Sequence, residues 1–281
     1  MGGCAQTNLI DIPDTNVAAF QEKIVIFGLL SVGDTLQNIQ IAHTIPVSEE
    51  PTDAKTAVKN AVVTLTVEDK IYPMLLQPQQ IRRDRISSGE KDERSLYMCP
   101  QLVTKAGTRY SIEVRWNNKI ATAETVTPQP SSLVSHRFYL RPRGNFQEMV
   151  LEGTIQPRPR SVYFLNQRHS RERGKFGAPE DFFGNVGEPI RNEDARANLA
   201  VFQSYIPLAF NQQLWDSLFV YTSEASIYVY DAPMWEYYTS TRQRSADIIS
   251  IPRTQNPAWN VQGDGIGMFI GVATTTTVLP K

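Results

Sequence analysis

The chain has 281 residues, with 28 Lys plus Arg against 29 Asp plus Glu and a formal net charge of −1. Such a balance creates no global field to draw in nucleic acid or an anionic surface. With 41% hydrophobic residues the chain can build cores, its length suits two ordinary domains or one large β domain, and no run of 18 apolar residues exists to cross a bilayer as a helix.

Residues 1–22 hold no sustained period and contain Pro13, so they read as a tether, and the stretch after Cys4 would reach roughly 60 Å when extended. From Lys23 the pattern turns to strands. KIVIFGLL is an apolar strand closed by the turn Ser31-Val32-Gly33-Asp34. LQNIQIAHTI follows, with Ile39, Ile41 and His43 on one face. AVVTLTVED puts Val63, Leu65 and Val67 one way and Thr64, Thr66 and Glu68 the other. The mixed-charge run at 82–94 reads as a solvated loop. TRYSIEVRW places Tyr110, Ile112, Val114 and Trp116 on one face, and Asn117-Asn118 makes the hairpin turn because Asn tolerates positive φ. The returning strand stops at TPQP, where prolines end sheet pairing. Alternating strands on short turns predict an antiparallel β-sandwich over 23–128.

The rest, 129–281, reads as a second β-rich domain. HRFYLRPRG, QEMVLEGTI and SVYFLNQ are strand-like, and the region from Arg158 to Lys175 has six basic residues against Glu172 alone. It reads as a basic loop, followed by the glycine-, proline- and aromatic-rich GKFGAPEDFFGNVGEP. Together they form a candidate binding loop of Arg168, Arg171, Arg173, Lys175, Phe176, Phe182 and Phe183. Ser223 is expected to cap a helix over 224–242, with Ile227, Tyr230, Met234 and Tyr238 on one stripe and a kink at Pro233. Trp235, Tyr237 and Tyr238 form a candidate aromatic platform within it. The chain closes on the glycine-rich QGDGIGMFIGV and the strand-like ATTTTVL.

Chemistry-bearing patterns are sparse. His43, His136 and His169 share no metal-ligand spacing, and neither HExxH nor G-x-S-x-G occurs. Gly263-Asp264-Gly265-Ile266-Gly267 is followed by β-like residues instead of a helix N-terminus. Its glycines therefore read as bulges or close backbone approaches, and no phosphate loop is expected. Cys99, in SLYMCPQL, reads as a buried small hydrophobe. The expectation is no enzyme activity, no metal, no cofactor and no nucleic-acid partner.

Several features in order give the chain a family likeness: a cysteine behind glycine, a tether into IVIFGLLSVGD, then AVKNAVVTLTVED, AGTRYSIEVRWNNKIATAETVTPQP, LFVYTSEASIYVYDA and NPAWNVQGDGIGMFIGVAT. It resembles an uncharacterised family of Bacteroidota outer-membrane lipoproteins, a domain of unknown function often encoded beside TonB-dependent receptors. The resemblance implies two β domains, the first like a transthyretin or immunoglobulin sandwich. It implies no catalysis and partnership with an outer-membrane β-barrel, a transporter or the envelope assembly machinery. Related lipoproteins reach the outer surface through acidic residues soon after the lipidated cysteine. Here Ala5, Gln6, Thr7 and Asn8 are uncharged, which favours the periplasmic face.

Cys4 then has one reading that survives. The other cysteine, Cys99, sits in a strand-like run, no metal ligands lie near, and Gln6 occupies the place where myristoylation of Gly2 wants Ser or Thr. Thioether lipidation of a cysteine preceded by Gly3 fits the end of a bacterial lipoprotein signal, and the tether would let a β body stand off the bilayer. The expected function is a lipid-anchored, non-catalytic partner of a β-barrel protein, with binding of a glycan or small ligand as the alternative.

Overall fold

The structure is a computed structural model. It describes residues 20–35, 38–77, 93–143, 146–158, 161–173, 180–191, 200–208, 219–242 and 257–279. Cys4 and the tether up to residue 19 lie outside the described residues, as do Lys175 and Phe176 and all but Glu93 and Arg94 of the charged run at 82–94.

The chain is mainly β, as its alternation demands. The first lobe is built from β1 (Ile24–Ser31), β2 (Ile39–His43), a single helical turn α1 (Asp53–Thr56), β3 (Val62–Val67), β4 (Lys70–Pro73), β5 (Leu75–Leu76), β6 (Leu96–Met98), β7 (Arg109–Trp116) and β8 (Lys119–Val126). The second contains β9 (Leu133–Arg143), β10 (Phe146–Ile155), β11 (Ser161–Arg173), β12 (Glu180–Arg191), β13 (Ala200–Leu208), β14 (Phe219–Asp231) and the helix α2 (Pro233–Arg242). The chain then returns through β15 (Val261–Gly263) and β16 (Gly265–Leu279).

Two sheets face each other in the first lobe. One has the order β15-β8-β7-β3-β4; the other is part of an eight-stranded sheet, β12-β11-β14-β16-β1-β2-β6-β5. The inward residues are those the period of two selects: Val63, Leu65 and Val67 on β3, Tyr110, Ile112 and Val114 on β7, Ile24, Ile26 and Leu30 on β1, and Ile39 and Ile41 on β2. The β7–β8 turn runs through Asn117 and Asn118 at φ 46° and 62°, the left-handed geometry that a tight hairpin needs. Cys99 is buried with this core and free of any disulfide.

Residues from the far end of the chain complete this lobe. β15 pairs with β8, and the first half of β16 runs parallel to β1, from Ile24↔Gly265 to Ser31↔Val272. Beyond Val272, β16 leaves β1 and pairs antiparallel with β14, from Tyr230↔Val272 to Ser223↔Leu279. One 15-residue strand therefore serves both lobes, and the sandwich over 23–128 takes two of its strands from residues 261–272.

The glycine-rich ending has a mechanical cause. Gly267 has φ +124°, and a Cβ there would lie 2.0 Å from the Ile26 carbonyl oxygen. β16 can approach β1 only without a side chain at this point. Asp264, beside it, ties two strands: its N–H donates to the Ile120 carbonyl at 2.9 Å, and its Oδ2 accepts from the Ile120 N–H at 3.0 Å.

Each lobe also carries a tyrosine pinned to backbone five residues upstream. The Tyr110 hydroxyl accepts from the Lys105 N–H at 2.8 Å, and the Tyr163 hydroxyl accepts from the Arg158 N–H. This is the tyrosine-corner device of immunoglobulin-type sandwiches.

Two expectations are corrected. Residues 224–231 are not helical. Ala225, Ile227, Val229 and Asp231 are buried while Ser226, Tyr228 and Tyr230 are less so, a period of two, and the helix starts only at Pro233. Proline suits that first helical position because its missing N–H is one the helix would leave unbonded anyway. Nor is the described part of the basic region, Ser161–Arg173, a loop. Arg168, Arg171 and Arg173 lie on β11, and Phe182 and Phe183 on β12, with Arg168 opposite Phe183 and Arg171 opposite Glu180. β12 is an edge strand, and its register with β11 shifts between Tyr163↔Ile190 and Leu165↔Val186, so Gly187 and Pro189 fall in the irregular stretch that an edge tolerates.

Candidate functional site

The outer faces of the two first-lobe sheets differ in where their exposed apolar side chains fall. On β3, β7 and β8 the outward residues are Thr64, Thr66, Arg109, Ser111, Glu113, Arg115, Thr122 and Glu124, with exposed Val62, Ile120 and Val126 towards the strand ends, and the polar ones are laced by Arg115 Nε to Glu113 Oε1 at 2.7 Å and Ser111 Oγ to Glu124 Oε1 at 3.3 Å. This is an ordinary solvated sheet surface.

The outer face of the β16-β1-β2-β6-β5 region carries its apolar side chains in the middle of β1, beside the polar Gln40 of β2. Phe27 lies opposite Met268 on β16 and Gln40 on β2, and Gln40 lies opposite Leu96 on β6. Leu29 lies opposite Ile270, and Leu75 opposite Met98. Met268 and Ile270 are buried. Phe27 is 53% exposed, Leu29 40% and Leu75 58%. Contiguous apolar side chains on an exposed sheet face mark an interaction surface more often than scattered ones do. The sequence did signal it: IVIFGLL is apolar at both parities of the strand, so one of its two faces had to lie outside the sandwich core.

Around α2 stands a second feature, an aromatic cluster. Phe164 on β11 meets Tyr230 edge-on at 5.3 Å and Tyr238 edge-on at 5.8 Å, and Trp235 lies 6.4 Å from Tyr238. These geometries are favourable aromatic packings and bind α2 to the sheet. Burial lifts the Tyr230 phenol above its ordinary value, and Tyr228 nearby adds to it. Tyr237 turns to Trp259, 5.6 Å away in the segment entering β15. That segment is held by the Ala258 N–H donating to Ser240 Oγ at 2.9 Å. Trp259 is 36% exposed. Of the expected platform, then, Tyr238 packs against Phe164 of the sheet and against Trp235, and Tyr237 forms a pair with Trp259, a residue that sequence reasoning did not single out.

His43 is half-buried at one end of the sandwich. Its Nε2 lies 2.9 Å from the Lys55 carbonyl, its Nδ1 3.1 Å from both the Thr44 carbonyl and Glu22 Oε1, and its ring 5.1 Å from Trp116. Glu22 also meets Lys119 Nζ at 2.5 Å, so the chain is fastened to both sheets just before β1 begins. Among the described residues, no three of His, Cys, Asp and Glu gather closely enough to hold a metal ion. None of their helices is long and apolar enough to cross a membrane.

Two further side chains hold the junction of sheets. Asn260 donates from Nδ2 to the Phe269 carbonyl at 2.6 Å and to the Glu124 carbonyl at 3.2 Å, and accepts from the Phe269 N–H at 2.9 Å. Asp231 is 6% exposed and accepts from the Thr125 hydroxyl. Burial pushes its carboxyl up to about 7, against the pull of the Thr125 hydroxyl and the Gly271 N–H.

No curated protein matches the chain. Among solved structures, a DUF4785-family protein from Legionella pneumophila aligns over 73% of this chain and 50% of its own, at 12% identity and a TM-score of 0.24, so the chain spans half of that protein's length. The family described as a domain of unknown function, DUF4249, matches residues 8–277, and the chain belongs to it.

Proposed function

We propose that this protein is a non-catalytic outer-membrane lipoprotein, anchored through Cys4, that docks on an outer-membrane β-barrel protein and supports its assembly or substrate capture. The observation that carries the reading is the exposed apolar pair Phe27 and Leu29 in the middle of β1, with exposed Leu75 on the same sheet face. A barrel protein offers a matching partner surface, and a lipid anchor would hold the face near it. The finer setting, a Bacteroidota envelope with a TonB-dependent receptor as the barrel and the periplasmic side as the location, belongs to the same proposal and rests on the sequence resemblance.

Pull-down of the tagged full-length protein from detergent-solubilised outer membrane tests it. The barrel should co-purify with wild type and be lost with the double variant F27E/L29K, which stays in the membrane fraction. Cys4→Ala should release a folded protein from the membrane. Recovery of wild type without any barrel would sink the reading.

A second reading is supported by the exposed Trp259 paired with Tyr237. Aromatic faces stack on the apolar faces of sugars, so this pair would form the platform of a glycan-binding lipoprotein. A glycan array with no signal above that of the Trp259→Ala variant would remove it.

A further inference from the structure

The two lobes meet where β16 changes partners. Val272 is opposite both Ser31 of β1 and Tyr230 of β14, so the strand switch lies at Gly271 and Val272. The chain that passes from one lobe to the other presses on this point: a Cβ on Gly271 would lie 2.7 Å from Thr127 Cα and 3.2 Å from Pro128 Cδ. Asp231, the last residue of β14, enters from the other side. Its Oδ2 accepts from the hydroxyl of Thr125 on β8, and the Gly271 N–H and its own N–H pull on its carboxyl. Three strands from both lobes thus converge on one carboxyl. Its second oxygen, Oδ1, is buried and meets no hydrogen-bond donor among the described residues.

We propose that Asp231 is a proton-operated clasp at the strand switch: uncharged, it holds the seam between the lobes shut, and ionised, it favours local opening of β14 from β8 and the middle of β16.

The reason is solvation. A buried carboxylate needs donors on both oxygens, and here one oxygen has none, so charge on it is relieved most readily by admitting water at the seam. The neighbouring groups leave the carboxyl as the group that titrates. β16 carries no titratable residue from Gly265 to Leu279, and β11 presents Ser161 opposite Asp231. β8 presents Thr125, with Glu124 turned to the outer face beside Arg109 and Ser111. β14 itself adds Tyr230, raised by burial, and on α2 the acidic residue of the first turn, Glu236, is exposed. The clasp is independent of the docking reading, since it concerns the seam and not the exposed face.

The sign follows from linkage. The closed state holds its proton up to pH about 7, whereas an opened carboxyl returns towards its ordinary value of 3.8. Opening therefore releases a proton between these limits. The opening constant should rise by about tenfold per pH unit through that window and level off above pH 7.

Hydrogen exchange of the full-length protein from pH 5 to 8, corrected for intrinsic rates, reads this at the peptides containing Gly271, Thr125 and Ser161. In wild type, protection should fall by about tenfold per pH unit up to pH 7, and in Asp231→Asn it should be flat. Thr125→Val removes a donor that favours the ionised form, so its plateau should begin at higher pH than in wild type. That variant and wild type decide the matter if Asp231→Asn does not fold. Flat protection in wild type, the same slope in Asp231→Asn, or an unmoved plateau in Thr125→Val would overturn the proposal.

Discussion

At the scale of single residues, the positions that fix this fold are those where a backbone or carboxyl has no room for an alternative. Gly267 is the sharpest case. Its φ of +124° is one that L-residues rarely adopt, and its missing Cβ is where the Ile26 carbonyl already stands. Gly267→Ala combines backbone strain with a clash against main chain that cannot rotate away. It should cost more than about 3 kcal/mol and leave little folded protein. Gly33, also at positive φ (+85°) but with nothing within 4 Å of the place a Cβ would take, is the control: Gly33→Ala should lose only the backbone term, about 1 kcal/mol. Denaturant melts of the two variants separate the contributions. Equal losses would show that the close approach to Ile26 carries no weight.

At the scale of elements, the sequence was readable wherever one strand buries one face. β3, β7 and the Asn-Asn turn were legible because Val63, Leu65, Val67, Tyr110, Ile112 and Val114 alternate with polar residues and because Asn accepts positive φ. Residues 224–231 misled because two periods coexist there. Ile227, Tyr230, Met234 and Tyr238 satisfy a helical stripe, while Ala225, Ile227 and Val229 satisfy a strand, and the β-branched and aromatic content was the better guide. β12 misled because Gly187 and Pro189 read as loop punctuation, whereas a sheet edge with a register shift tolerates both. For the candidate site, the apolar face of Phe27 and Leu29 was visible only as an over-apolar strand, and the Tyr237–Trp259 pair not at all, since the partners are distant in sequence. The helix α2 tests this account. It is short and carries Thr239, Ser240 and Thr241, whose hydroxyls bond back to carbonyls of the preceding turn, so it depends on tertiary contacts for its stability. Tyr238→Ala removes the edge contact with Phe164 and the neighbour of Trp235, and should destabilise by about 2–3 kcal/mol, whereas Tyr238→Phe keeps both ring contacts and should cost under about 1 kcal/mol. Near-ultraviolet circular dichroism of the aromatic cluster checks the local effect. An unchanged spectrum in Tyr238→Ala would mean that the cluster does not hold the helix.

At the scale of the whole molecule, the arrangement that local pattern could not reveal is the return of the chain end. β15 closes one sheet of the first lobe and the first half of β16 closes the other, so residues 261–272 stand beside strands that lie some 140 to 240 positions earlier, as Ile120–Asp264 and Ile24–Gly265 do. The parallel pairing of β1 with β16 needs such a long connection, because parallel strands cannot be joined by a hairpin. Its loop-closure entropy must be met before its contacts form. Two consequences follow. The first lobe should not be a domain that folds alone: a fragment of residues 20–128 keeps β1 with one edge unpaired and loses Phe269, a fully buried member of its core. The two lobes should also melt together, because β16 cannot leave β1 without dragging on β14 in the same sheet. Expression of residues 20–128 should give a chain without a cooperative thermal transition, and a peptide spanning 257–279 supplied in trans should restore one. The full-length protein should show a single transition by both calorimetry and far-ultraviolet circular dichroism, with matching enthalpies. A fragment that melts cooperatively without the peptide would show that the terminal strand decorates the first lobe and does not complete it. Two separate transitions in the intact protein would show that the strand switch at Val272 transmits no stability between the lobes.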